Sequence, residues 1–473
     1  MGDRKTAIDF FNKAVVNIND KSNPTHLQQA YSLFASSCMI DPTWAEAFFQ
    51  SGNNNGDLEH MHSAVACFRR ALECNPDNKL KAKILTNLGW RLHCIGQFEE
   101  AKIYSHQATE VGEMLGDRDH ASAWINLSCI YGILFQQEKS IEYARKAYAI
   151  NGGDPVTQMA LAFALLFGRR FQEGFKHFES RFKYKLKEFI QYPYPKWDGE
   201  PNRTVYLCLD QGLGDTLSFA RFVEPLCKRS KYVHARIQPE LLRLFQHVFI
   251  HIPNLNLIPS PCPFPAADAW TSFVSLPHAL GLSDDEIRNA KQVRIPRLQI
   301  PCNWKITDRK LHIGIAWHGS PLNDINKHRS IPIEFFLDLY KVPGIQLYSL
   351  QVGERSKDMH EGAACAPIMR DMTQHIRDVS DTVSLIRELD LVICCESALG
   401  HIAAAADVEC WVPYSFSGRD YRASSDGKDP IWTPKHTFFQ QGRDCQWQPV
   451  FDRIVDALKE KVAECERIQR KAS

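Results

Sequence analysis

Apolar residues in the first part of the chain recur at helical spacing, and the helical segments themselves recur about every 34 residues. Asp41-Pro42 and Asn75-Pro76 lie one period apart, each behind an amphipathic segment. Between them stand Phe48, Gly52, Ala64, Phe68, Ala71 and Pro76, in the order aromatic, small, small, aromatic, small, proline. The next unit carries Leu85, Leu88, Gly89, Leu92, Ala101 and Ala108, the third Trp124, Leu127, Tyr131, Ala144 and Ala147, and the fourth Leu161, Ala162, Leu165, Phe171 and Phe178. A partial unit with Ala30, Phe34 and Pro42 precedes them. Small residues let two helices of a hairpin approach, and larger apolar ones fill the gap between neighbouring hairpins. The pattern predicts a helical solenoid over residues 1–182, roughly five hairpins long.

Helical periodicity stops near Lys183, and Tyr192 to Pro201 is a proline- and aromatic-rich stretch that predicts a connector over 183–203. Short apolar runs follow, separated by amphipathic segments. Val205–Leu209, Tyr232–Ile237, Leu255–Ile258 and Ala269–Ser275 read as strands, with helices at Leu217–Lys228 and Glu240–Val248. Leu311–Trp317, Gln346–Leu350, the run ending at Cys395, and Glu409–Pro413 form a second set. Strands alternating with helices predict two α/β lobes, 204–303 and 304–448. Val450, Ile454, Leu458, Val462 and Cys465 then mark an amphipathic helix over 449–473. The fold class expected is α plus α/β.

Three strand ends carry candidate chemistry. Leu391–Cys395 breaks at Glu396-Ser397, and Gly400-His401 opens an alanine-rich helix. A strand, a tight polar turn and a helix point backbone N–H groups at an anion, although such a turn can also serve only to cap its helix, with Ser397 as N-cap. Gln211-Gly212-Leu213-Gly214-Asp215-Thr216 follows the first strand of the first lobe. Asp215 there can cap a helix or accept a proton in a cleft, and spacing alone favours the cap. His318-Gly319-Ser320-Pro321 follows Leu311–Trp317 and leads to Lys327 and Arg329, cations at a strand's carboxyl end where ligands of open α/β sheets gather.

Composition narrows the function classes. The chain has 473 residues, 56 basic and 55 acidic, for a net charge of +1, so no global field favours nucleic acid or an acidic membrane. Its 15 cysteines are scattered without a CxxC pair, which fits reduced thiols rather than zinc or a disulfide framework. No run is long and apolar enough to span a bilayer and the start lacks a signal-peptide core, so a cytoplasmic protein without a membrane span is expected. Gly212-Leu213-Gly214 lacks the third glycine of a dinucleotide fingerprint, since residue 217 is leucine, which sets aside an oxidoreductase.

The N-terminal pattern resembles tetratricopeptide repeats. From Trp197 to about Trp447 the chain resembles glycosyltransferase family 9, the heptosyltransferase-like enzymes of GT-B architecture, and more closely the bacterial and phage proteins that join such repeats to such a domain. The matching pieces are Trp197-Asp198-Gly199, Gln211–Phe222, Ile315–Gly319 with Arg329-Ser330, and Ser349-Leu350-Gln351. Asp381-Thr382 through Asp390–Ile393, Gly400–Ala403 and Pro430–Pro434 complete them. The resemblance implies a GT-B fold of two Rossmann-like lobes and a metal-independent inverting transfer of sugar from a nucleotide-diphosphate sugar. It implies Asp215 as general base. Donor contacts are implied at Gly212, Gly214, Trp317, Lys327, Arg329, Glu396, Ser397, Ala398, Gly400 and His401. Neither a metal nor a cofactor is implied beyond the donor itself. The family usually has aspartate where this chain has Glu396, one methylene longer.

The function expected is therefore a glycosyltransferase acting on a hydroxyl of a glycan, a protein or another acceptor, with the repeats selecting the acceptor or a partner, or self-associating. The alternative is a binding or scaffold protein that has lost turnover.

Overall fold

The computed structural model describes residues 4–116, 120–184, 192–296, 310–321, 326–361, 369–416, 420–423 and 430–472. They fall into two compact units, 1–168 with 177–186, and 169–176 with 187–473.

The first unit is built of antiparallel helix pairs: Arg4–Asn19 with His26–Ile40, Ala45–Asp57 with Met61–Glu73, Asn78–Cys94 with Phe98–Leu115, and Ala121–Ile133 with Gln137–Asn151, followed by Pro155–Phe167. Close approach explains the small residues. A Cβ on Gly52 would stand 2.6 Å from the Phe68 ring, and one on Gly89 would stand 2.4 Å from Ser105 Oγ. Ala64, Ala71, Ala101, Ala108, Ala144 and Ala147 are wholly buried. One detail differs from the pattern: Phe49, not Phe48, is the buried aromatic of its hairpin, its ring centroid 6.0 Å from that of Phe68. Asp77 and Asp154 cap their helices by accepting from Leu80 N (2.8 Å) and Thr157 N (2.9 Å).

The second unit holds two wholly parallel sheets. The first contains β1 (Thr204–Cys208), β2 (Tyr232–Ile237), β3 (Leu255–Pro259) and β4 (Ala269–Ser272), in the order β3-β2-β1-β4. The second contains β5 (Leu311–Ala316), β6 (Ile345–Ser349), β7 (Met369–Asp371), β8 (Leu391–Cys394), β9 (Cys410–Tyr414) and β10 (His436–Gln440), in the order β10-β9-β8-β5-β6-β7. Central strands β5, β6, β8 and β9 are buried at every position, as parallel strands covered on both faces must be. The helix Gln448–Ala472 lays Val450, Phe451, Ile454 and Leu458 into the core of the second sheet.

Strand order fixes where a ligand could lie. From β5 the chain first adds β6 and β7 on one side, then returns to place β8 on the other. The crevice opens beyond the carboxyl ends of strands at such a reversal, here β5 and β8. The first sheet has the same reversal between β1 and β4.

Several local expectations shift. The helix expected from Leu217 begins at Leu213, because Gly212 adopts extended backbone (φ −69°, ψ 172°) as its N-cap. It then breaks into Leu213–Phe219, a 3-10 turn Ala220–Phe222 and Val223–Arg229. Strands β7 and β10 escaped the sequence pattern: one is three residues long and the other lies half-exposed at a sheet edge. Within the expected connector, Trp197 N donates to Trp270 O (2.7 Å) and Trp270 N to Pro195 O (2.9 Å), so residues 195–197 lie alongside β4.

Candidate functional site

The carboxyl end of β8 leads through Cys395 and Glu396 into the helix Ala398–Ala406. Ser397 occupies its N-cap position in extended backbone, yet its hydroxyl makes no cap hydrogen bond. The helix therefore presents its first N–H groups and the positive end of its dipole at the crevice. The second helix at the crevice is Leu213–Phe219, which follows β1 of the first sheet. The two meet at Gly214, where a Cβ would stand 2.6 Å from His401 Cδ2 and 3.3 Å from Ala398 Cα. Ser218 Oγ and His401 Nδ1 lie 3.0 Å apart across the same contact.

Asp215 does not cap its helix. Its carboxylate forms an ion pair with Arg422, Oδ1 to Nη2 at 2.9 Å. Arg422 also binds Asp420, its Nε donating to Oδ1 at 2.9 Å and Oδ2 at 2.8 Å, with a further contact from Nη2. Arg169 supports this segment by donating to the carbonyls of Tyr421 (3.4 Å) and Ala423 (3.3 Å). On the other flank Arg329 Nη1 lies 3.8 Å from Glu396 Oε1. A pocket of about 380 Å³, counting the part open to solvent, is lined in part by Glu396, Ser397, His401, Asp420, Arg422 and His436.

Enclosure sets the charge states. Burial raises the pKa of Asp215 and prevails over the opposing pull of Arg422. Burial and the neighbouring Asp420 push Glu396 up to about 8. Burial also drives His401 well down, helped by Arg422, and takes His436 down to about 4, so both imidazoles are neutral near pH 7. Asp420 stays low because Arg422 outweighs the burial that would raise it. Within the pocket wall, Arg422 Nη1, Glu396 Oε2 and His436 Nε2 are buried and have no hydrogen-bond partner among the described residues. Buried polar atoms left unpaired are costly, and a polar ligand would satisfy them.

The sequence-derived residues divide as follows. Asp215, Arg329, Glu396, Ser397, Ala398, Gly400 and His401 come together around the crevice, with Gly214 at the helix contact and Gly212 starting the helix that bears Asp215. Trp317 does not face the pocket. Its ring is buried in the second sheet's core and its Nε1 donates to Asp358 at 2.9 Å, so it anchors the end of β5. Lys327 belongs to the short helix Asn326–Arg329, and its side chain lies outside the described residues. Asp420, Arg422 and His436 were not expected. Thr433 and His436 follow Trp432, which is held by its Nε1 donating to Ile287 O (2.8 Å) and by Arg221 stacked 4.4 Å from its ring. Only the segment Pro430–Pro434 hinted at this wall.

Among the described residues, no group of side chains has the makings of a metal site and no helix is long and apolar enough to cross a membrane. None of the curated proteins compared matches the chain. A family model described as tetratricopeptide repeat matches residues 45–78 and 121–154. Among solved structures, YrrB, described as a TPR protein with an unusual peptide-binding site, is 16% identical; the match covers 38% of this chain and 88% of that one, with a TM-score of 0.30. MamA from Desulfovibrio magneticus RS-1 is 19% identical over 40% of this chain and 99% of that one, with a TM-score of 0.33. Pseudomonas aeruginosa PilF is 17% identical over 40% and 78%, with a TM-score of 0.32. With its family match at residues 45–78 and 121–154 and its paired helices, the N-terminal region of this chain contains tetratricopeptide repeats.

Proposed function

We propose that the second unit is a GT-B-type, metal-independent inverting glycosyltransferase that takes a nucleotide-diphosphate sugar, and that the repeats bind a protein partner or the acceptor. The observation that carries this reading is the meeting of Asp215, on the first turn of the helix that follows β1, with a cationic and helix-N-terminal pocket at the second sheet's reversal. A carboxylate with a raised pKa suits removal of the acceptor's O–H proton while that oxygen attacks the anomeric carbon. The bond from that carbon to the phosphate oxygen breaks, and the leaving diphosphate gathers charge where Arg329, Arg422 and the helix start can stabilise it. Tetratricopeptide repeats ordinarily serve protein interaction, which fits acceptor selection.

One observation favours a second reading, a scaffold without turnover. Asp215 is held by Arg422 rather than left open to an acceptor. The deciding test is a panel of UDP-, GDP-, ADP- and CMP-linked sugars, measured for binding by calorimetry and for slow hydrolysis, on wild type and Asp215→Asn. A donor that binds both proteins, with turnover lower by roughly 100-fold or more in the variant, supports the transferase. Absence of binding across the panel supports the scaffold.

A further inference from the structure

Arg422 uses its guanidinium unevenly. Nε and Nη2 hold Asp420, Nη2 also holds Asp215 at 2.9 Å, and Nη1 is buried in the pocket wall without a partner among the described residues. The residue is 9% exposed, so this spare donor is not satisfied by bulk water. His436 Nε2, equally unpartnered, and the start of helix Ala398–Ala406 line the same pocket. The Nη1–Nη2 edge of a guanidinium is a fork that matches two oxygens of a phosphate. Engaging that edge takes Nη2, the nitrogen now spent on Asp215, while Nε can remain on Asp420.

We propose that Arg422 is a phosphate ligand of this pocket, and that an incoming diphosphate and Asp215 compete for its Nη2. The assignment rests on the transferase reading for its purpose. Donor binding withdraws the cation from Asp215, and the carboxylate becomes a stronger base only once the donor is in place. While the pair is intact, the carboxylate is tied to the guanidinium and is the weaker base.

Inorganic pyrophosphate tests this without any sugar. Calorimetric titration of the full chain without metal would compare wild type, Arg422→Gln, Arg422→Lys, Asp215→Asn and the Arg422→Gln/Asp215→Asn double variant. The expected pattern is binding by wild type, a loss of tenfold or more in Arg422→Gln, and a smaller loss in Arg422→Lys, which keeps the charge but not the fork. Asp215→Asn should bind several-fold tighter, because the competitor has lost its charge, and that gain should vanish in the double variant. A purely structural Arg422 gives no gain in Asp215→Asn, so an unchanged or weaker affinity there overturns the exchange. Failure of wild type to bind pyrophosphate, or wild-type binding by a folded Arg422→Gln, overturns the phosphate assignment. If Arg422→Gln does not fold, Asp215→Asn still decides, since it alters a half-buried residue and leaves the arginine in place. The full predicted pattern without turnover of any nucleotide sugar would refute only the transferase reading. A sugar turned over with no gain in Asp215→Asn would refute only the exchange.

Discussion

Glu396 stands at the carboxyl end of β8, with Arg329, Arg422, Asp420 and Asp215 as its charged neighbours, and burial and Asp420 push its pKa up to about 8. The folded state thus holds a proton that the unfolded chain releases near the ordinary glutamate value. Stability from this group is complete at low pH and is lost as pH rises from about 4.5 through about 8. Glu396→Gln should remove that slope: equal to wild type near pH 4, and more stable at pH 9 by on the order of 1–3 kcal/mol. Thermal unfolding from pH 4 to 9 checks it, and a variant less stable than wild type at pH 9 would sink the assignment. At this scale Asp215, Glu396 and His401 were legible because each sits at a fixed offset from a buried strand. Asp420 and Arg422 were not, because the polar run from Ser415 to Lys428 carries the composition of a solvated loop. Trp317 misled in the opposite sense: a tryptophan at a strand end can face a ligand or the core, and spacing does not distinguish them.

Helix Leu213–Phe219 crosses helix Ala398–Ala406 with Gly214 at the contact, and the obstacle to a methyl group there includes the Ala398 backbone at 3.3 Å as well as the His401 ring at 2.6 Å. Gly214→Ala should cost about 1–3 kcal/mol in urea unfolding and weaken the Ser218–His401 hydrogen bond. Gly400→Ala is the control. Its new methyl would meet His436 Cε1 at 3.5 Å, an ordinary contact, and should cost less than about 1 kcal/mol. Equal losses in the two variants would refute a specific close approach at Gly214. Element positions were largely legible: the expected strands lie within a few residues of β1–β6, β8 and β9, because the buried central strands are continuous apolar runs and the half-exposed edge strand β3 still carries Leu255, Leu257 and Ile258. Strands β7 and β10 were missed because edge strands need no such run.

At the scale of the second unit, the two sheets are joined by an ion-pair cluster away from the pocket. Arg243, on helix Pro239–Val248 of the first sheet, donates from Nε to Asp378 Oδ2 (2.7 Å) and from Nη2 to Asp378 Oδ1 and Asp381 Oδ1 (2.6 Å each). Burial would raise the pKa of Asp381, but bonds from Arg377 and Arg243 prevail and lower it. This stabilisation is present above the ordinary aspartate range and is lost as pH falls through the depressed value. Arg243→Ala strands the buried Asp381 with Arg377 alone. Because Arg243 is 32% exposed, the cost should be about 1–3 kcal/mol at pH 7, below that of breaking a fully buried pair. The difference from wild type should shrink below pH 4, which denaturant titrations at the two pH values would read. A difference that grows on acidification would show that the pair does not link the two sheets.

The sequence by itself determined the helical repeats and the alternation of strands and helices, because both are written as local periodicities of apolar residues. It also placed Asp215 and Glu396 at strand ends. Only the tertiary structure decided which strands are neighbours, that the reversals at β1/β4 and β5/β8 bring those ends together, and that Arg422 joins Asp215 to Asp420. Local patterning records how much of each segment is buried. Which charge meets which depends on chain crossings that bring together residues some two hundred positions apart, and no local period encodes them.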